Sequence, residues 1–278
     1  MCEDLSNMEF HSFSVLMSLY YRENPIYLNE CLNSLNNQTL PADEIVIVYD
    51  GPVGEELEKV VNKWERILPI KKVILSENVG LGCALNEGMK FCSNEYIARM
   101  DTDDICFERR FERQFDILRS DPKIDLLGTA IIEIDDDSNT RLKILPTKSD
   151  EIKKFAKLKN PFNHMSVVFK KTSVLEVGGY KHHLYMEDYN LWLRMLANNK
   201  ICLNISDVLL KVRVGKNMLQ RRKGINYIKS EYILYRLKNK LNIASPLLNF
   251  GLFSFRVIMR IIPTKLLELA YSIDRKNN

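Results

Sequence analysis

The first hundred residues alternate between short apolar runs and longer stretches in which apolar residues recur every three or four positions. The apolar runs have the length and composition of strands and lie at 13–19, 44–49, 72–75 and 96–100. The stretches between them have helical periodicity, and the first opens with Asn24 as a cap and Pro25 at its first position. Strands that alternate with helices at this spacing predict an α/β fold, with a doubly wound, mostly parallel sheet and helices on both faces.

Each predicted strand ends in a polar segment. In chain order these segments contain Tyr20 and Glu23, then Asp50, then Asn78 and Gly82 with Asn86 one helical turn later, and finally Asp101 and Asp103. Ligands of doubly wound sheets bind outside the carboxyl ends of the strands. Asp-Gly and Asn-x-Gly sequences also form ordinary turns. Four polar strand ends at one sheet edge nevertheless favour a cleft for a nucleotide and a metal ion.

Three carboxylates, Asp101, Asp103 and Asp104, fall within four positions between a predicted strand and a predicted helix. A helix N-terminus accommodates negative charge, which is one explanation of the cluster. Hard cations such as Mg²⁺ or Mn²⁺ also bind clustered carboxylate oxygens and leave coordination positions for phosphate. The polar ends of the preceding strands favour the metal site.

Composition indicates a globular protein, because 46% of the 278 residues are hydrophobic and 27% are charged. The six cysteines form no CxxC pair, so we expect buried thiols in a reducing compartment. The acidic start of the chain lacks an apolar segment, and no signal peptide is expected.

The net charge of +4 conceals a basic C-terminal region, since 211–278 contains 15 Lys and Arg but only 3 Asp and Glu. Within it, 241–255 has no charged residue, but it is shorter than the roughly 20 residues of a membrane span. Aromatic and aliphatic residues beside basic ones are typical of a helix at an anionic membrane surface. The alternative is a pair of helices that pack on the catalytic region and expose a basic face.

The order and spacing of several segments resemble family 2 glycosyltransferases, which have the Rossmann-like GT-A fold. The similarity covers residues 13 to about 190, and its motifs are SVLMSLY at 14–20, CLNSL at 31–35, PADEIVIVYDG at 41–51, NVG at 78–80 and DTDD at 101–104. One departure lies at 49–52, where Tyr-Asp-Gly-Pro replaces the two acids, Gly and Ser that are usual in the family. Of the two acids only the second, Asp50, is present.

The resemblance implies inverting transfer from a nucleoside-diphosphate sugar with Mn²⁺ or Mg²⁺ as cofactor. By analogy the metal ligands are Asp101 and Asp103. The implied contacts to the nucleotide sugar are Tyr20, Glu23, Asp50, Asn78, Gly82, Asn86, Arg99 and Asp101.

Inverting transfer also requires a base for the acceptor hydroxyl, and Glu187 and Asp188 precede a helical stretch. The family uses the second acid of such a pair, which implies Asp188 as the base and Glu187 as an orienting group. Either acid could instead cap the helix. His164 lies just before a predicted strand, and it could be an accessory site residue or a structural one.

The whole chain resembles bacterial enzymes that extend GlcNAc-diphosphate-polyprenol during O-antigen or exopolysaccharide assembly, galactosyltransferases forming a β-1,3 bond in particular. This implies a UDP-sugar donor and a peripheral location on the cytoplasmic face of the bacterial inner membrane. Glucosyl or rhamnosyl transfer is the near alternative. The implied organisation is a catalytic region at 1–210, with a nucleotide-sugar half at about 12–104 and an acceptor half at about 105–210, and a membrane-associated helical tail at 211–278.

Two other functional classes share some of these features. A sugar-phosphate nucleotidyltransferase would need a Gly-rich basic loop after the first strand, and 19–24 contains no glycine. A nucleic-acid-binding protein would explain the basic tail, but the long aliphatic runs there favour lipid, and no nucleic-acid partner is expected.

Overall fold

The computed structural model describes residues 12–215 and 224–261. In chain order they form β1 (Phe13–Leu19), α1 (Pro25–Asn36), β2 (Glu44–Tyr49), α2 (Glu55–Trp64), β3 (Ile70–Ile74), α3 (Leu81–Phe91), β4 (Tyr96–Arg99), β5 (Ile105–Cys106), α4 (Arg110–Ser120), β6 (Leu126–Asp135), β7 (Thr140–Lys143), α5 (Ser149–Ala156), a 3₁₀ turn (His164–Ser166), β8 (Val168–Lys170), α6 (Lys171–Glu176), α7 (Glu187–Ala197), β9 (Cys202–Val214), α8 (Ile225–Lys240) and α9 (Pro246–Ile261).

These strands form one sheet in the order β3-β2-β1-β4-β8-β6-β9-β5, with β7 paired to β6. The first four strands along this path are parallel, as the alternating pattern predicts. From β8 onward the sheet is mixed, because β8 runs antiparallel to both β4 and β6. Strand β6 itself runs parallel to β9 but antiparallel to β7, to which a four-residue hairpin turn joins it.

The parallel half of the sheet is buried on both faces, which explains its almost uninterrupted apolar strands. On one face Phe13 of β1 packs against Phe111 and Phe115 of α4, with ring centroids 4.8 and 4.5 Å apart. On the other face Leu16 and Val48 belong to the core that α3 and α7 cover. The strands therefore hold their carboxyl ends in fixed relative positions.

The first helix begins as its sequence predicts. The side chain of Asn24 accepts a hydrogen bond of 2.8 Å from the backbone N–H of Ile26, and Pro25 occupies the first helical position. The buried side of α1 includes Leu28, Cys31 and Leu32. Cys31 also reaches the site, because its thiol donates to the carbonyl of Asp101 at 3.3 Å.

The three acids after β4 do not cap a helix. They lie in the turn between β4 and β5, and α4 begins only at Arg110. The explanation of the cluster by a helix N-terminus is therefore wrong. Arg110 is fully buried and donates to the carbonyl of Arg99 at 2.8 Å, so it fixes the position of the end of β4.

The predicted helical tail is present as α8 and α9, while 216–223 and 262–278, which contain several of its basic residues, lie outside the described residues. The proposed boundary at 210 falls within β9, which continues to Val214. Helix α8 buries Tyr227, Glu231 and Leu234, whereas α9 leaves much of its apolar surface exposed. Within the described ranges, no helix combines the length and hydrophobicity that crossing a bilayer requires.

Candidate active site

Asp101, Asp103 and Asp104 form a compact carboxylate cluster in which one oxygen from each lies within 4.8 Å of the others. The backbone N–H of Arg213 donates to Oδ1 of Asp104 at 3.1 Å. The buried Oδ2 of Asp104 has no hydrogen-bond partner among the residues that the structure describes. A buried carboxylate oxygen without a donor, beside two further carboxylates, fits a divalent cation.

Electrostatics within this cluster oppose full ionisation. Burial and then the charge of Asp101 raise the pKa of Asp103 from 3.8 to about 6. Burial, followed by the charges of Asp101 and Asp103, also raises the pKa of Asp104 well above its usual value. Like charges held this close need a cation nearby to remain ionised together at neutral pH. Hard oxygen ligands of this kind suit Mg²⁺ or Mn²⁺.

Arg99 is the cationic residue at the end of β4, and only 1% of it is exposed. Its guanidinium forms an ion pair with Asp101. Its Nε is buried without a hydrogen-bond partner among the described residues. The Arg99 charge also acts on Glu187 and Asp188 of the second acid pair, opposing the rise in their pKa values that burial causes. Arg99 is therefore paired with the carboxylate cluster, and its charge also acts on the second acid pair.

The second acid pair opens α7. The amide of Asn160 donates to Oδ2 of Asp188 at 2.6 Å, and the backbone N–H of Tyr189 donates to Oδ1 at 2.6 Å. Burial raises the pKa of Asp188 while these two hydrogen bonds lower it. Burial, and then the neighbouring Asp188, raises the pKa of Glu187 from 4.5 to about 7.

The absence of a side chain at Gly82 brings the second acid pair close to the strand ends. A Cβ atom at Gly82 would lie 3.2 Å from the Cβ of Glu187 and 3.5 Å from that of Tyr180. The distance to Glu187 is shorter than an ordinary carbon–carbon contact, so the glycine at position 82 permits the close approach of α3 to the start of α7. The acid pair consequently lies against the start of α3, which follows the polar end of β3.

Asp50 braces the turn that follows β3. Its carboxylate accepts from the backbone N–H groups of Val79 at 2.7 Å and Gly80 at 3.1 Å, and the amide of Asn78 donates to its carbonyl at 3.2 Å. Gly51 lies against the same turn, where an added Cβ would come within 2.8 Å of the Asn78 nitrogen. The contacts that Asp50 and Asn78 make to a nucleotide sugar stay a prediction, and their bonds to each other fix the shape of this strand end.

Asn86 lies in α3 and holds the loop that contains Tyr180. Its amide pairs with the backbone of Tyr180 in both directions, at 2.7 and 2.8 Å, as a neighbouring strand would. The Tyr180 hydroxyl lies 2.8 Å from Nε2 of His164, which is 8% exposed. His164 is thus a buried partner of Tyr180 beside the cleft, and contact of His164 or Asn86 with a substrate stays a prediction.

The burial of His164 predicts that the protein loses stability as the pH falls. Burial, and then the nearby charge of Arg99, lowers the pKa of the imidazole well below 6.5. The unfolded chain therefore binds a proton at His164 near pH 6.5, while the folded chain binds it only at lower pH, so stability falls as pH decreases below about 6.5. His164→Gln should lose less stability than the wild type between about pH 7.5 and about pH 5.5. Urea melts check this, with the exposed His182→Gln as control; equal losses in His164→Gln and the wild type would contradict it.

Tyr20 and Glu23 form the turn after β1, where the Glu23 N–H donates to the Tyr20 carbonyl at 3.1 Å. Their contact with the base and ribose stays a prediction. No local pattern in the sequence predicts the contacts that Asn160 and Tyr180 make with the other site residues. The only local signal at Asn160 is its position before Pro161, which indicates a turn and says nothing of Asp188. Asn160 bonds to Asp188 and Tyr180 bonds to Asn86, and each pair is more than 25 positions apart in sequence.

Comparison with known proteins places this geometry in a family. Residues 14–183 match the family model described as Glycosyl transferase family 2. The amylovoran biosynthesis glycosyltransferase AmsE of Erwinia amylovora is 50% identical over 264 residues, which cover 95% of this chain and 99% of that protein. The UDP-Gal:alpha-D-GlcNAc-diphosphoundecaprenol beta-1,3-galactosyltransferase of Escherichia coli is 37% identical, with 91% of this chain and 92% of the relative covered.

A solved structure supports the fold. The mannosyltransferase PcManGT from Pyrobaculum calidifontis, in complex with GDP-Man and Mn²⁺, matches with a TM-score of 0.63 and 16% identity over 94% of this chain and 73% of its own. At this identity the likeness shows the fold alone. Together with the sheet order, it confirms the predicted doubly wound α/β class.

Proposed function

The chain belongs to the family 2 glycosyltransferases, and we propose that it transfers galactose from UDP-galactose to a GlcNAc-diphosphate-polyprenol acceptor in surface polysaccharide synthesis. The observation that carries the proposal is the cluster of Asp101, Asp103 and Asp104, with Arg99 paired to Asp101. The sugar and acceptor follow the relative that is 37% identical along nearly the whole chain. Glucosyl or rhamnosyl transfer in the same class of pathway is the alternative.

The carboxylate cluster suits the diphosphate end of the donor. Asp101 and Asp103 would hold Mn²⁺ or Mg²⁺, and Asp104, with its unpartnered buried oxygen, lies beside them. A divalent cation bound there supplies a Lewis acid that neutralises charge on the departing diphosphate. Arg99 adds a fixed positive charge that needs no reorganisation during the reaction.

The second acid pair suits the acceptor end. In our assignment Asp188 removes the proton of the attacking hydroxyl, while the anomeric carbon passes through an oxocarbenium-like state. Asn160 and the Tyr189 N–H each donate to one Asp188 oxygen, and together they fix the plane of the carboxylate. Glu187, with a pKa of about 7, lies next to Asp188 and would orient the acceptor.

Donor screening tests the proposed reaction. Purified protein should release UDP from UDP-galactose only when a synthetic GlcNAc-diphosphate-lipid is present, and the product should be a β-linked disaccharide by NMR. UDP-glucose and dTDP-rhamnose are the competing donors, and preference for either would replace galactose in the assignment. Release of pyrophosphate from a sugar phosphate and UTP would point to nucleotidyl transfer. Failure with every donor would refute a transferase acting on this acceptor.

The C-terminal helices motivate a second part of the proposal, peripheral attachment to an anionic membrane at the cytoplasmic face. The exposed apolar side chains of α9 form a stripe at helical spacing that contains Leu247, Phe250, Phe255, Ile258 and Ile261. Exposed Lys229, Arg236 and Lys240 lie on the adjoining helix α8. An apolar helix face beside cationic side chains matches the boundary between headgroups and acyl chains.

Liposome binding tests the attachment. The protein should bind vesicles that contain anionic lipid, and high salt should release only part of it, because salt screens the charges but leaves apolar burial intact. Phe255→Ser should weaken binding, whereas Phe91→Ser, which alters an exposed phenylalanine of α3, should not. Equal binding by both variants and the wild type would exclude α9 as the contact.

A further inference from the structure

The α8–α9 hairpin is fastened internally by one buried carboxylate. Glu231 is 1% exposed, and its two oxygens accept from Arg256 at 3.0 Å and Arg260 at 2.9 Å. The Arg260 guanidinium also lies 4.3 Å from the centre of the Tyr227 ring. The hairpin is therefore a defined unit whose two helices keep one relative arrangement.

One side of the hairpin holds the segment that leads into the acid pair. The Ser230 hydroxyl donates to the carbonyl of Leu184 at 2.7 Å, and the Ser230 carbonyl accepts from Nε2 of His183 at 2.9 Å. The rings of Tyr185 and Tyr227 stack with centroids 5.2 Å apart. Tyr185 has φ +66°, a left-handed conformation that is unfavourable for a bulky side chain and persists where surrounding contacts hold it.

The C-terminal end of α8 holds the segment that leads to Asn160. The ammonium of Lys238, which is 3% exposed, donates to the carbonyl of Lys157 at 2.7 Å. The guanidinium of Arg256 donates to the next carbonyl, that of Leu158. Two residues farther on, Asn160 makes its hydrogen bond to Asp188.

We propose that the α8–α9 hairpin positions the general base from both sides, with Ser230 and Lys238 as positioning residues. Ser230 holds the segment that precedes Asp188 in the chain, and Lys238 holds the segment that delivers Asn160 to the Asp188 carboxylate. This inference rests on the proposed function, in which Asp188 accepts the proton. It gives the C-terminal helices a part in catalysis that is separate from any contact with lipid.

Polar contacts to backbone carbonyls distinguish this arrangement from ordinary packing. Apolar side chains such as Leu234 already bury the interface between α8 and the catalytic region. A buried lysine is unfavourable unless its ammonium finds an acceptor, and Lys238 finds one in the Lys157 carbonyl. The polar contacts thus define where the two segments lie, while the apolar contacts stabilise the interface.

Lys238→Met separates positioning from stability. Methionine fills the space of the lysine stem and removes a buried charge, so the melting temperature should be kept. The Lys157 carbonyl loses its donor, and kcat should fall about tenfold to a hundredfold, the range that displacement of a reacting group produces. The KM for UDP-galactose should not change. Lys59→Met, which alters an exposed lysine of α2, is the matched control.

Ser230 supplies an independent variant. Ser230→Ala removes the donor to the Leu184 carbonyl and should lower kcat without changing donor KM, and Ser230→Thr, which keeps the hydroxyl, should recover part of the loss. In an Asp188→Asn background neither Lys238→Met nor Ser230→Ala should lower kcat further, because the group they position has been removed.

The outcomes are distinguishable. If Lys238→Met and Ser230→Ala fold and keep the wild-type kcat while Asp188→Asn is inactive, the positioning role is overturned and the proposed function stands. If kcat, donor KM and melting temperature all deteriorate together, the hairpin is only a structural support and the inference is again overturned. If Asp188→Asn is fully active, the base assignment fails and the inference fails with it.

Discussion

Asp103→Asn is expected to abolish sugar transfer in a protein that remains folded. Asparagine keeps the size of the side chain but removes one of the carboxylate charges that would hold the cation. EDTA should abolish transfer by the wild type, and Mn²⁺ or Mg²⁺ should restore it. Titration calorimetry with Mn²⁺ should show binding to the wild type and strongly reduced binding to the variant.

The control for this experiment is Asp137→Asn, which changes an exposed acid in the hairpin turn between β6 and β7. It should leave both activity and Mn²⁺ affinity unchanged. Full wild-type activity in chelator would remove the metal assignment altogether. Loss of activity in Asp103→Asn with normal Mn²⁺ affinity would move the metal site to other residues.

Stability should respond to Asp103→Asn in the opposite direction to activity when chelator is present. The pKa of Asp103 is about 6 in the folded protein against 3.8 for the ordinary group. Because the folded protein holds the proton of Asp103 more tightly than the unfolded chain, protonated Asp103 contributes to the free energy of unfolding at low pH. This contribution is lost as pH rises through about 6. At neutral pH the variant lacks the buried repulsive charge, so it should melt at the same or a higher temperature. A large drop in melting temperature would indicate that Asp103 has a stabilising partner.

Asp188→Asn is expected to lower kcat by about a hundredfold or more, since the amide retains the shape of the carboxylate but cannot accept a proton. UDP affinity should change little, because the donor contacts lie on the strand ends. Single-turnover rates with the lipid acceptor, together with calorimetry for UDP, measure the two quantities separately. If Glu187→Gln is inactive and Asp188→Asn is active, Glu187 is the base.

The acid limb of the pH–rate profile gives a second test of Asp188 as the base. Burial raises the pKa of Asp188, so kcat of the wild type should fall as pH decreases through that raised value and the base becomes protonated. Asn160→Ala should move this limb to higher pH, because the hydrogen bond that it removes favours the ionised carboxylate. An unshifted limb in Asn160→Ala would mean that Asp188 does not control this step.

The sequence predicted the parallel half of the fold well, because hydrophobic periodicity and the Asn24–Pro25 helix start are local signals. The cluster of Asp101, Asp103 and Asp104 is likewise a local signal, because the three acids fall within four positions. The mixed half of the sheet was not predicted, since the antiparallel pairing of β8 depends on contacts across the sheet.

Contacts distant in sequence account for the rest of the site. Asn160 reaches Asp188 across 28 positions, and Asn86 reaches Tyr180 across 94. Neither partner has a local pattern that points to the other. The tail illustrates the same limit, because the basic composition predicted an exposed face, whereas Arg256 and Arg260 turn inward to the buried Glu231.

The two ends of the sheet bear on how the protein behaves when many copies are crowded together. An open strand edge is a template for pairing with another molecule, and long apolar edges promote aggregation. At one end β3 carries Lys71 and Lys72, whose ammonium groups bond to Phe91 and Glu65 of the flanking helices. At the other end β5 is only two residues long. Among the described strands, therefore, neither end of the sheet offers a long apolar edge for pairing with another molecule.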